Sequence, residues 1–478
     1  MTELIRPDIC IIGAGAGGLS VARAAAALGA ATVLIEKGKM GGECLHSGCV
    51  PSKALMAAAA RAHALRNSAR FGIKPGRTSI DFAAVNKHVH DVIAAVARND
   101  SRERFTALGV RVIEGTARFT DEATVAVDDV AIKARRFVVA TGSSPLVPAI
   151  PGLLDTPHLT NENVFDLTEC PRHLVVIGAG VVGLELAQAF RRLGADVTVL
   201  EAQAPLAGFD PECVALVLKA LERDGVTLRT GVEVAKISRT FAKINVVLAK
   251  ADGIETIEAS HVLVATGRRP NLEDVGLEAA GVRYEPHGIV VDETMSTSNK
   301  RIYAVGDVTG GPRFTHAANY HAGLVVRHAL FRLPVRMDLR RIPAVLYTDP
   351  ELAHVGMTED DARARARRSS AVRTLRWPYL ENDRAQAERT TSGHIKVITD
   401  ARGAILGVTI VGARATENIV AWTLAISQKL KIRAMAELVV PYPTYSEIGK
   451  SAAISYFQRR LTSPRVRRIM AWLRRFGG

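Results

Sequence analysis

The chain has 478 residues, of which 48% are apolar and 23% are charged, and its formal net charge is +14. This length predicts several domains, and the apolar content excludes an intrinsically disordered chain. Five cysteines are too few, and odd in number, for a secreted disulfide framework. Since the first residues lack a signal-peptide pattern and no uncharged run is long enough to span a membrane, we expect a cytoplasmic protein.

The first elements of the chain predict a dinucleotide-binding unit. A short apolar strand runs into Gly13, Gly15 and Gly18, an alanine-rich helix follows, and a second strand ends at Glu36. Glycines at this spacing let the backbone turn tightly and approach a pyrophosphate, which the helix N-terminus attracts. The carboxylate, 18 residues after the last glycine, is suited to accept hydrogen bonds from ribose hydroxyls.

Two of the five cysteines follow this unit closely. Cys44 and Cys49 lie five residues apart within the glycine-containing stretch 41–53, shortly before Pro51 and Lys53. The spacing alone leaves three alternatives open, namely a metal clip, a structural disulfide and a redox-active pair.

A second copy of the nucleotide motif lies further along the chain. Gly178, Gly180 and Gly183 follow an apolar strand, and the acid Glu201 again lies 18 residues after the last glycine. Its carboxylate would accept from a free 2′-hydroxyl and repel a 2′-phosphate, which favours NADH over NADPH. Two nucleotide sites predict FAD at one site and a nicotinamide cofactor at the other.

Short strand-to-glycine turns follow each nucleotide unit, at residues 135–145 and 261–271. A further strand ends at Gly306 and Asp307, where a carboxylate could bind a polyol chain.

Together these motifs resemble the pyridine nucleotide-disulfide oxidoreductases, the family of dihydrolipoamide dehydrogenase, glutathione reductase and mercuric reductase. The resemblance covers nearly the whole chain. It rests on Gly13, Gly15, Gly18, Glu36, Cys44, Cys49, Lys53, 140–142, Gly178, Gly180, Gly183, Glu185, 265–267, Gly306, Asp307 and 441–447. It implies an α/β fold with two Rossmann-like dinucleotide-binding domains, for FAD and NAD(P), and a C-terminal α+β dimerisation domain.

The resemblance also implies domain boundaries and cofactor contacts. The implied boundaries are 1–150 for the first part of the FAD domain, 151–270 for the NAD(P) domain, 271–340 for the return to the FAD and central domain, 341–458 for the dimerisation domain and 459–478 for a basic amphipathic tail. The residues implied around FAD are Gly13, Gly15, Gly18, Glu36, Gly42, Lys53, Gly115, Thr141, Gly142, Asp307 and Ala317. Those implied around NAD(P) are Gly178, Gly180, Gly183, Glu201 and Gly267. Lys53 and Glu185 are implied to form an ion pair beside the flavin, where a cation favours the reduced ring.

For the cysteines, the resemblance favours the redox-active alternative. Residues five apart would lie about 7.5 Å apart along an ideal helix axis, beyond the usual Cα separation of a disulfide. Closing the pair would distort the first helical turn, for which Gly48 and Pro51 are suited. The resemblance implies that Cys44 attacks substrate and that Cys49 is the thiolate next to the flavin. Electrons from NADH then reach the disulfide through the flavin, and the direction reverses for a dithiol substrate.

The family pattern breaks at Tyr442. Lipoamide dehydrogenases and glutathione reductases carry His-Pro-Thr-x-x-Glu there, whereas this chain keeps only Glu447 of the histidine–glutamate pair. A phenol is a poor base at neutral pH, so disulfide exchange should be slow. The tyrosine resembles mercuric reductases, but residues 448–478 contain no cysteine pair to hand over a metal ion. Glu43 stands where many relatives have threonine, and we expect it to point to solvent.

These observations favour an FAD-dependent NAD(P)H oxidoreductase with a redox-active Cys44–Cys49 disulfide, mercuric-reductase-like in Tyr442. The alternatives are a specialised dihydrolipoamide dehydrogenase, a membrane-associated flavoprotein passing electrons to a quinone or protein partner, and a nucleotide-sensing protein without turnover. The acceptor is accordingly a small-molecule or protein disulfide, a metal ion or a quinone. We expect no resident metal and no nucleic-acid partner.

The last third of the chain predicts a homodimer. The segment from Arg341 resembles the interface domain of the family, which brings the region 442–447 of one subunit against Cys44 of the other.

The tail combines arginines with an apolar stripe. Its arginines are Arg459, Arg460, Arg465, Arg467, Arg468, Arg474 and Arg475, and the stripe consists of Val466, Ile469, Met470, Leu473 and Phe476 with Trp472 at its edge. Helical spacing predicts an amphipathic helix. It either packs on its own domain with a solvated basic face, or lies on the inner face of an anionic membrane.

Overall fold

The structure is a computed structural model that describes residues 3–74, 76, 79–241, 243–250, 253–366, 371–461 and 464–476. The side chains of Arg459, Arg460 and Arg465 lie outside the described part. The first compact unit comprises residues 1–205 and 225–338, and the second comprises 206–224 and 339–478. The predicted boundaries stay a prediction; they put 206–224 in the NAD(P) domain, whereas these residues belong to the second compact unit.

The strands of the first compact unit are β1 (Glu3–Ile5), β2 (Ile9–Ile12), β3 (Thr32–Glu36), β4 (Val110–Glu114), β5 (Arg118–Asp121), β6 (Thr124–Val127), β7 (Val130–Ile132), β8 (Arg136–Val139), β9 (Ser143–Pro145), β10 (His173–Ile177), β11 (Asp196–Glu201), β12 (Val226–Thr230), β13 (Glu233–Thr240), β14 (Lys243–Lys250), β15 (Gly253–Ala259), β16 (His261–Val264), β17 (Arg268–Pro270), β18 (Tyr284–Glu285), β19 (Gly288–Ile289) and β20 (Ile302–Ala304). Its helices are α1 (Ala16–Ala27), α2 (Gly42–His46), α3 (Cys49–Arg66), α4 (Phe82–Ala97), α5 (Arg102–Ala107), α6 (Val181–Leu193) and α8 (Thr315–Phe331).

The first nucleotide motif is built on a parallel sheet of order β20-β8-β2-β3-β4. Strand β2 is buried at every position, as expected for a strand covered on both faces. Val21 and Ala25 of α1 share a buried cluster with Leu34 of β3 and Val325 of α8. This packing places the N-terminus of α1 at the carboxyl end of β2, and β3 ends at Glu36 as predicted.

The second nucleotide motif repeats this arrangement on a parallel sheet of order β12-β11-β10-β16. Helix α6 connects β10 to β11, and its residues Leu184, Leu186 and Phe190 are buried. Strand β11 ends at Glu201, as the sequence predicted. An antiparallel sheet of β13, β14 and β15 lies between β12 and β16 along the chain.

The sequence Ala-Thr-Gly occurs in two turns, at residues 140–142 and 265–267. The strands that follow these two Ala-Thr-Gly turns, β9 and β17, pair antiparallel with each other. The Thr141 hydroxyl donates to the Asn271 carbonyl at 2.8 Å, and the Asn271 amide donates back to the Thr141 carbonyl at 2.9 Å. The turns that looked alike in sequence therefore lie side by side.

The second compact unit consists of an antiparallel sheet of order β21-β22-β25-β24-β23 with helices beside it. Its strands are β21 (Ala344–Leu346), β22 (Glu351–Gly356), β23 (Val372–Pro378), β24 (His394–Asp400) and β25 (Ile405–Gly412). Its helices are α7 (Pro211–Arg223), α9 (Glu359–Arg365), α10 (Asp383–Ala387), α11 (Ala415–Ser427), α12 (Ile432–Glu437), α13 (Glu447–Leu461) and α14 (Pro464–Leu473). Trp422 of α11 and Ile448 of α13 share a buried cluster with Val397 and Ile410 of the sheet.

A buried lysine ties α7 to this sheet. Lys396 of β24 is only 7% exposed, and its ammonium lies 2.7 Å from Asp210, 2.8 Å from Glu359 and 3.1 Å from Glu212. The hydrogen bond from Arg376, aided by Lys396, lowers the pKa of Glu212 to about 2. Burial opposes ionisation of Glu359, but the bond from Lys396 still lowers its pKa to about 2. Glu212 and Glu359 therefore stay ionised at neutral pH, and their negative charges balance the buried Lys396 ammonium.

The predicted fold class is confirmed: two parallel nucleotide-type sheets are followed by an α+β unit. No helix among the residues described combines the length and the apolar composition that crossing a bilayer requires.

Candidate active site

Two of the three glycines of the first nucleotide motif leave no room for a Cβ atom, and the third faces open space. Gly13 has a φ of +104°, and a Cβ there would lie 2.3 Å from the Ala140 carbonyl oxygen. A Cβ at Gly18 would lie 1.9 Å from the Gly13 oxygen, so only glycine lets α1 approach the strand. At Gly15, by contrast, a Cβ would meet nothing within 4 Å. The open space at the α1 N-terminus fits a dinucleotide pyrophosphate.

The second motif has the same geometry. A Cβ at Gly178 would lie 2.4 Å from the Ala265 oxygen, and one at Gly183 would lie 2.0 Å from the Gly178 oxygen. Gly180 again faces open space. Helices α1 and α6 each lack a capping side chain and an acid in the first turn, so both N-termini are suited to an anion.

The two acids are anchored alike. Glu36 accepts from the backbone N–H groups of Ala14 at 2.6 Å and Gly38 at 2.8 Å. Glu201 accepts from the corresponding groups of Ala179 and Gln203, at 2.7 and 2.8 Å. Each carboxylate is thereby fixed at the end of its strand, beside its glycine loop.

Neither arginine of α6 is available beside Glu201. Arg191 donates to the Ala195 carbonyl at 2.9 Å and pairs with Asp196 at 3.1 Å, while Arg192 is buried. We therefore do not assign either arginine to a pocket for a 2′-phosphate.

The remaining residues predicted around FAD lie around the same loop or near Asp307. A Cβ at Gly42 would lie 2.7 Å from the Gly15 Cα, so this glycine packs on the nucleotide loop. The Gly115 N–H donates to the Glu36 carbonyl at 2.9 Å. Asp307, in a 3₁₀ turn, accepts from the Ser143 hydroxyl at 2.6 Å.

Three further residues predicted to contact the cofactors have no side chain or a single methyl group. Gly142 and Gly267 end the two Ala-Thr-Gly turns, with φ values of +71° and +131°. Ala317 is fully buried in α8.

The two cysteines lie on either side of a break between helices. Cys44 belongs to α2, and Cys49 is the first residue of α3. The chain leaves helical geometry at Ser47 and Gly48. The sequence predicted a distorted helical turn, and the distortion is a complete interruption. Both cysteines are free thiols in the structure, so the disulfide stays a prediction.

One hydroxyl lies against both sulfurs. Thr315, the first residue of α8, donates to the Cys44 Sγ at 3.0 Å, and its Oγ1 lies 3.4 Å from the Cys49 Sγ. The hydrogen bond from Cys44, together with Thr315 and the charge of Lys53, lowers the pKa of Cys49 to about 6 despite burial. The same thiol–thiol bond and burial raise the pKa of Cys44. A single negative charge on the pair therefore resides on Cys49.

The predicted ion pair is present. The Lys53 ammonium lies 2.6 Å from the Glu185 carboxylate, whose side chain is only 4% exposed. Lys53 lies one helical turn after Cys49 in α3, which explains why it stabilises that thiolate.

Glu43 contradicts the expectation that it points to solvent. Its side chain is 35% exposed, and its Oε1 accepts from the Asn161 amide at 2.8 Å and from Arg268 at 3.1 Å. Asn161 also donates to the Ser47 carbonyl at 3.0 Å. The expectation was wrong because residues distant in sequence supply donors for this carboxylate. Burial raises the pKa of Glu43, although Arg268 partly offsets it.

Arg268 links this cluster to the nucleotide units. It donates to the Ser143 hydroxyl and carbonyl, both at 2.7 Å, and lies 3.8 Å from Asp307. One guanidinium thus faces two carboxylates, Glu43 and Asp307. Sequence reasoning missed Arg268 and Asn161, although the position of Arg268 directly after Gly267 was a usable signal.

Two family models match the chain. The model described as "Pyridine nucleotide-disulphide oxidoreductase" matches residues 7–322, and the dimerisation domain of the same family matches residues 342–453. The chain belongs to this family. The resemblance read from the sequence is confirmed. The family depends on FAD and NAD(P), and its members include mercuric reductases and dihydrolipoyl dehydrogenases.

Individual relatives cover nearly the whole chain. A mercuric reductase from Bacillus cereus is 36% identical over 454 residues, which are 94% of this chain and 71% of that protein. A dihydrolipoyl dehydrogenase from Geobacillus stearothermophilus is 34% identical over 457 residues, which are 94% and 96% of the two chains. The solved Cu(II) complex of the HOCl-induced flavoprotein disulfide reductase RclA from Escherichia coli has a TM-score of 0.82 at 26% identity, and the match covers 93% of this chain and 98% of that one.

Tyr442, which the sequence analysis places at the family's histidine position, lies in the second compact unit. Its side chain is 72% exposed, and its hydroxyl donates to the Asp383 carboxylate at 2.7 Å. Glu447 instead accepts from the Thr444 backbone N–H at 3.2 Å. The hydrogen bond and charge of Asp383 raise the pKa of Tyr442. Asp383, which sequence reasoning missed, keeps the phenol protonated.

The structure also describes the other three cysteines. Cys10 is buried in β2, and Cys213 is buried in α7, with its Sγ 3.6 Å from His394 Nε2. Burial raises the pKa of Cys170. Within the described ranges, no group of three or more His, Cys, Asp or Glu side chains could hold a metal ion.

Proposed function

We propose that this chain is an FAD-dependent reductase that consumes NAD(P)H and passes electrons through a redox-active Cys44–Cys49 pair to an acceptor that needs no protein base. Bound FAD and nicotinamide dinucleotide supply the hydride-transfer chemistry. The observation that carries the proposal is the hydrogen bond from Tyr442 to Asp383. A phenol held in this way donates a hydrogen bond but cannot take a proton from a thiol at neutral pH.

The residues near the pair give the two thiols different pKa values. Two electrons and one proton convert the disulfide into one thiolate and one thiol. Lys53 and Thr315 favour the thiolate at Cys49, whose pKa is lowered to about 6. Cys44 then carries the proton. Transfer of two electrons from the pair to the acceptor re-forms the disulfide and releases this proton to solvent. Glu185 holds the Lys53 ammonium in place.

A soft metal cation suits such a site. Thiolates prefer soft metals. A soft metal ion displaces the thiol proton to solvent as it binds sulfur, so this step needs no protein base. The names of two relatives, a mercuric reductase and a Cu(II) complex of a flavoprotein disulfide reductase, support this acceptor class. Because residues 448–478 contain no cysteine, we propose that the ion arrives bound to a small thiol.

The dihydrolipoyl dehydrogenase relative favours a second candidate, a dithiol–disulfide oxidoreductase. This candidate needs a base at position 442. Replacing Tyr442→His restores imidazole there, and Tyr442→Phe is the matched control without a titratable group. We expect lipoamide turnover only in the histidine variant.

The test is an anaerobic NADH titration followed by turnover with Hg(II) in excess thiol, Cu(II), lipoamide and a water-soluble quinone. We expect a long-wavelength charge-transfer band after two electrons, and metal reduction that Cys44→Ser abolishes. Lipoamide turnover by the unmodified chain that matches or exceeds metal reduction would overturn the first candidate in favour of the second. Quinone reduction that survives Cys44→Ser would favour direct transfer from flavin.

We also propose that NADH is preferred. Glu201 would repel a 2′-phosphate, and neither Arg191 nor Arg192 is available to bind one. The ratio of kcat/KM for NADH and NADPH tests this preference. Glu201→Ser should reduce the ratio, and a ratio below one in the unmodified chain would refute the assignment.

The dimerisation domain supports a homodimer. In the second compact unit, Val420 and Leu424 of α11 and the nearby Val439 are 63%, 58% and 89% exposed. Apolar exposure of this extent is typical of interfaces. Light scattering should give twice the mass of one chain, and an active monomer would refute the proposal.

A further inference from the structure

The segment formed by α14 and the turn that follows it, residues 464–476, is the Arg-rich helix. Backbone hydrogen bonds from Arg474 to Met470 and from Phe476 to Leu473 continue the turn beyond α14. The sequence left open whether this helix packs on its own domain or lies on a membrane. Its side chains favour the second alternative.

The apolar face of the Arg-rich helix is uncovered. Ile469, Trp472 and Phe476 are 55%, 57% and 71% exposed, and Met470 and Leu473 are each 48% exposed. The rings of Trp472 and Phe476 contact each other edge to face at 4.8 Å. Five exposed apolar side chains within eight residues contradict packing of this face on the described part of the chain.

The rest of the helix surface is basic. At about 100° per residue, Arg467 and Arg475 lie farther from the apolar face, and Arg468 and Arg474 lie at its two borders. All four side chains are exposed. Residues 448–478 contain no Asp or Glu, so this segment contributes positive charge and no negative charge of its own.

These two faces select one kind of partner. A second copy of the chain also carries a formal net charge of +14, so it offers no general attraction to the arginines. A nucleic acid would bind the arginines and leave the apolar face in water. An anionic lipid surface accommodates both faces, because apolar side chains enter the acyl boundary while arginines contact the headgroup phosphates. Trp472 suits this interface.

We propose that the Arg-rich helix docks the protein on an anionic lipid surface. The helix lies in the plane of the bilayer with Ile469, Met470, Trp472, Leu473 and Phe476 in the headgroup–acyl boundary. Binding requires both faces, and the proposed reductase function does not depend on it. Charge reversal in the helix therefore separates binding from activity.

The test uses the full-length, FAD-loaded protein and sedimentation with vesicles of phosphatidylcholine alone or with about one third phosphatidylglycerol. We expect binding only to the anionic vesicles, with affinity that falls steeply as salt rises. The border charges are reversed in the pair Arg468→Glu and Arg474→Glu. The matched control reverses two exposed basic residues elsewhere in the second compact unit, Lys219→Glu and Arg402→Glu.

We expect the border pair to weaken binding at least tenfold and the control pair to leave it within twofold. The apolar pair Trp472→Ser and Phe476→Ser should weaken binding comparably, although it keeps every arginine. NADH-dependent dye reduction reports folding and should be unchanged in all variants. Equal binding by the border and control pairs, or no binding to anionic vesicles, overturns the proposal. The proposal is also overturned if the arginine variants alone lose vesicle binding, the apolar pair keeps it, and the unmodified protein binds DNA more tightly than anionic vesicles.

Discussion

Removal of the Thr315 hydroxyl tests the electrostatic division between the two thiols. Thr315 has one hydroxyl proton, and its oxygen lies 3.0 Å from the Cys44 sulfur and 3.4 Å from the Cys49 sulfur. A hydrogen bond to a charged group contributes about 1.5–3 kcal/mol. Since the approach to Cys49 is long, we use the lower end, which corresponds to about one pKa unit.

Thr315→Val keeps the shape of the side chain and removes the donor. The pKa of Cys49, which Cys44, Thr315 and Lys53 lower to about 6, should rise by about one unit, because the thiolate loses a partner while the thiol loses little. At pH 6.5 the thiolate fraction should fall from roughly three quarters to roughly one quarter.

The assay is a pH titration of the charge-transfer absorbance of the two-electron-reduced, FAD-loaded protein. Thr106→Val, in the exposed helix α5, is the matched control and should leave the midpoint unchanged. A midpoint that stays in place or moves to lower pH in Thr315→Val would refute the role assigned to this hydroxyl.

Two further changes test charges elsewhere. The pKa of Cys44 is raised first by the hydrogen bond with Cys49, then by burial and the charge of Cys49, and to a smaller extent by the charge of Glu43. Glu43→Gln removes this last contribution. With Cys49 replaced by Ser in both proteins, alkylation of Cys44 at neutral pH should be about threefold faster. Lys396→Met breaks the buried cluster with Glu212 and Glu359 and should lower the free energy of unfolding by about 3–5 kcal/mol. Because folding lowers both glutamate pKa values from 4.5 to about 2, their stabilisation is complete above pH 4.5 and is lost as pH falls towards 2.

Controls separate these effects from general damage. Glu169→Gln removes an exposed carboxylate elsewhere in the first compact unit and should leave Cys44 alkylation unchanged. Slower alkylation in Glu43→Gln would show that the carboxylate helps the thiol ionise. The free energy of unfolding, measured with urea between pH 3 and 7, should fall less on acidification in Lys396→Met than in the unmodified chain. Parallel curves of this free energy against pH would contradict the role of the cluster.

Much of the molecule follows from local patterns in the sequence. Glycine spacing and a strand-terminal acid identified both nucleotide motifs, because these residues report backbone geometry within one strand–turn–helix unit. The pair Cys44 and Cys49 stood out because its glycine-containing loop is short and unusual. Tyr442 was noticed in the same way, because the resemblance leads us to expect a histidine at that place in a short motif.

Tertiary structure alone decided which groups surround these residues. Thr315 reaches Cys44 across 271 positions, and Arg268 reaches Glu43 across 225. Asp383 meets Tyr442 across 59 positions. Such contacts depend on how helices and sheets pack, and no local pattern records them. Sequence therefore indicated where the proposed redox chemistry lies. Packing determined that Cys49 is the thiol with the lowered pKa and that the phenol of Tyr442 keeps its proton.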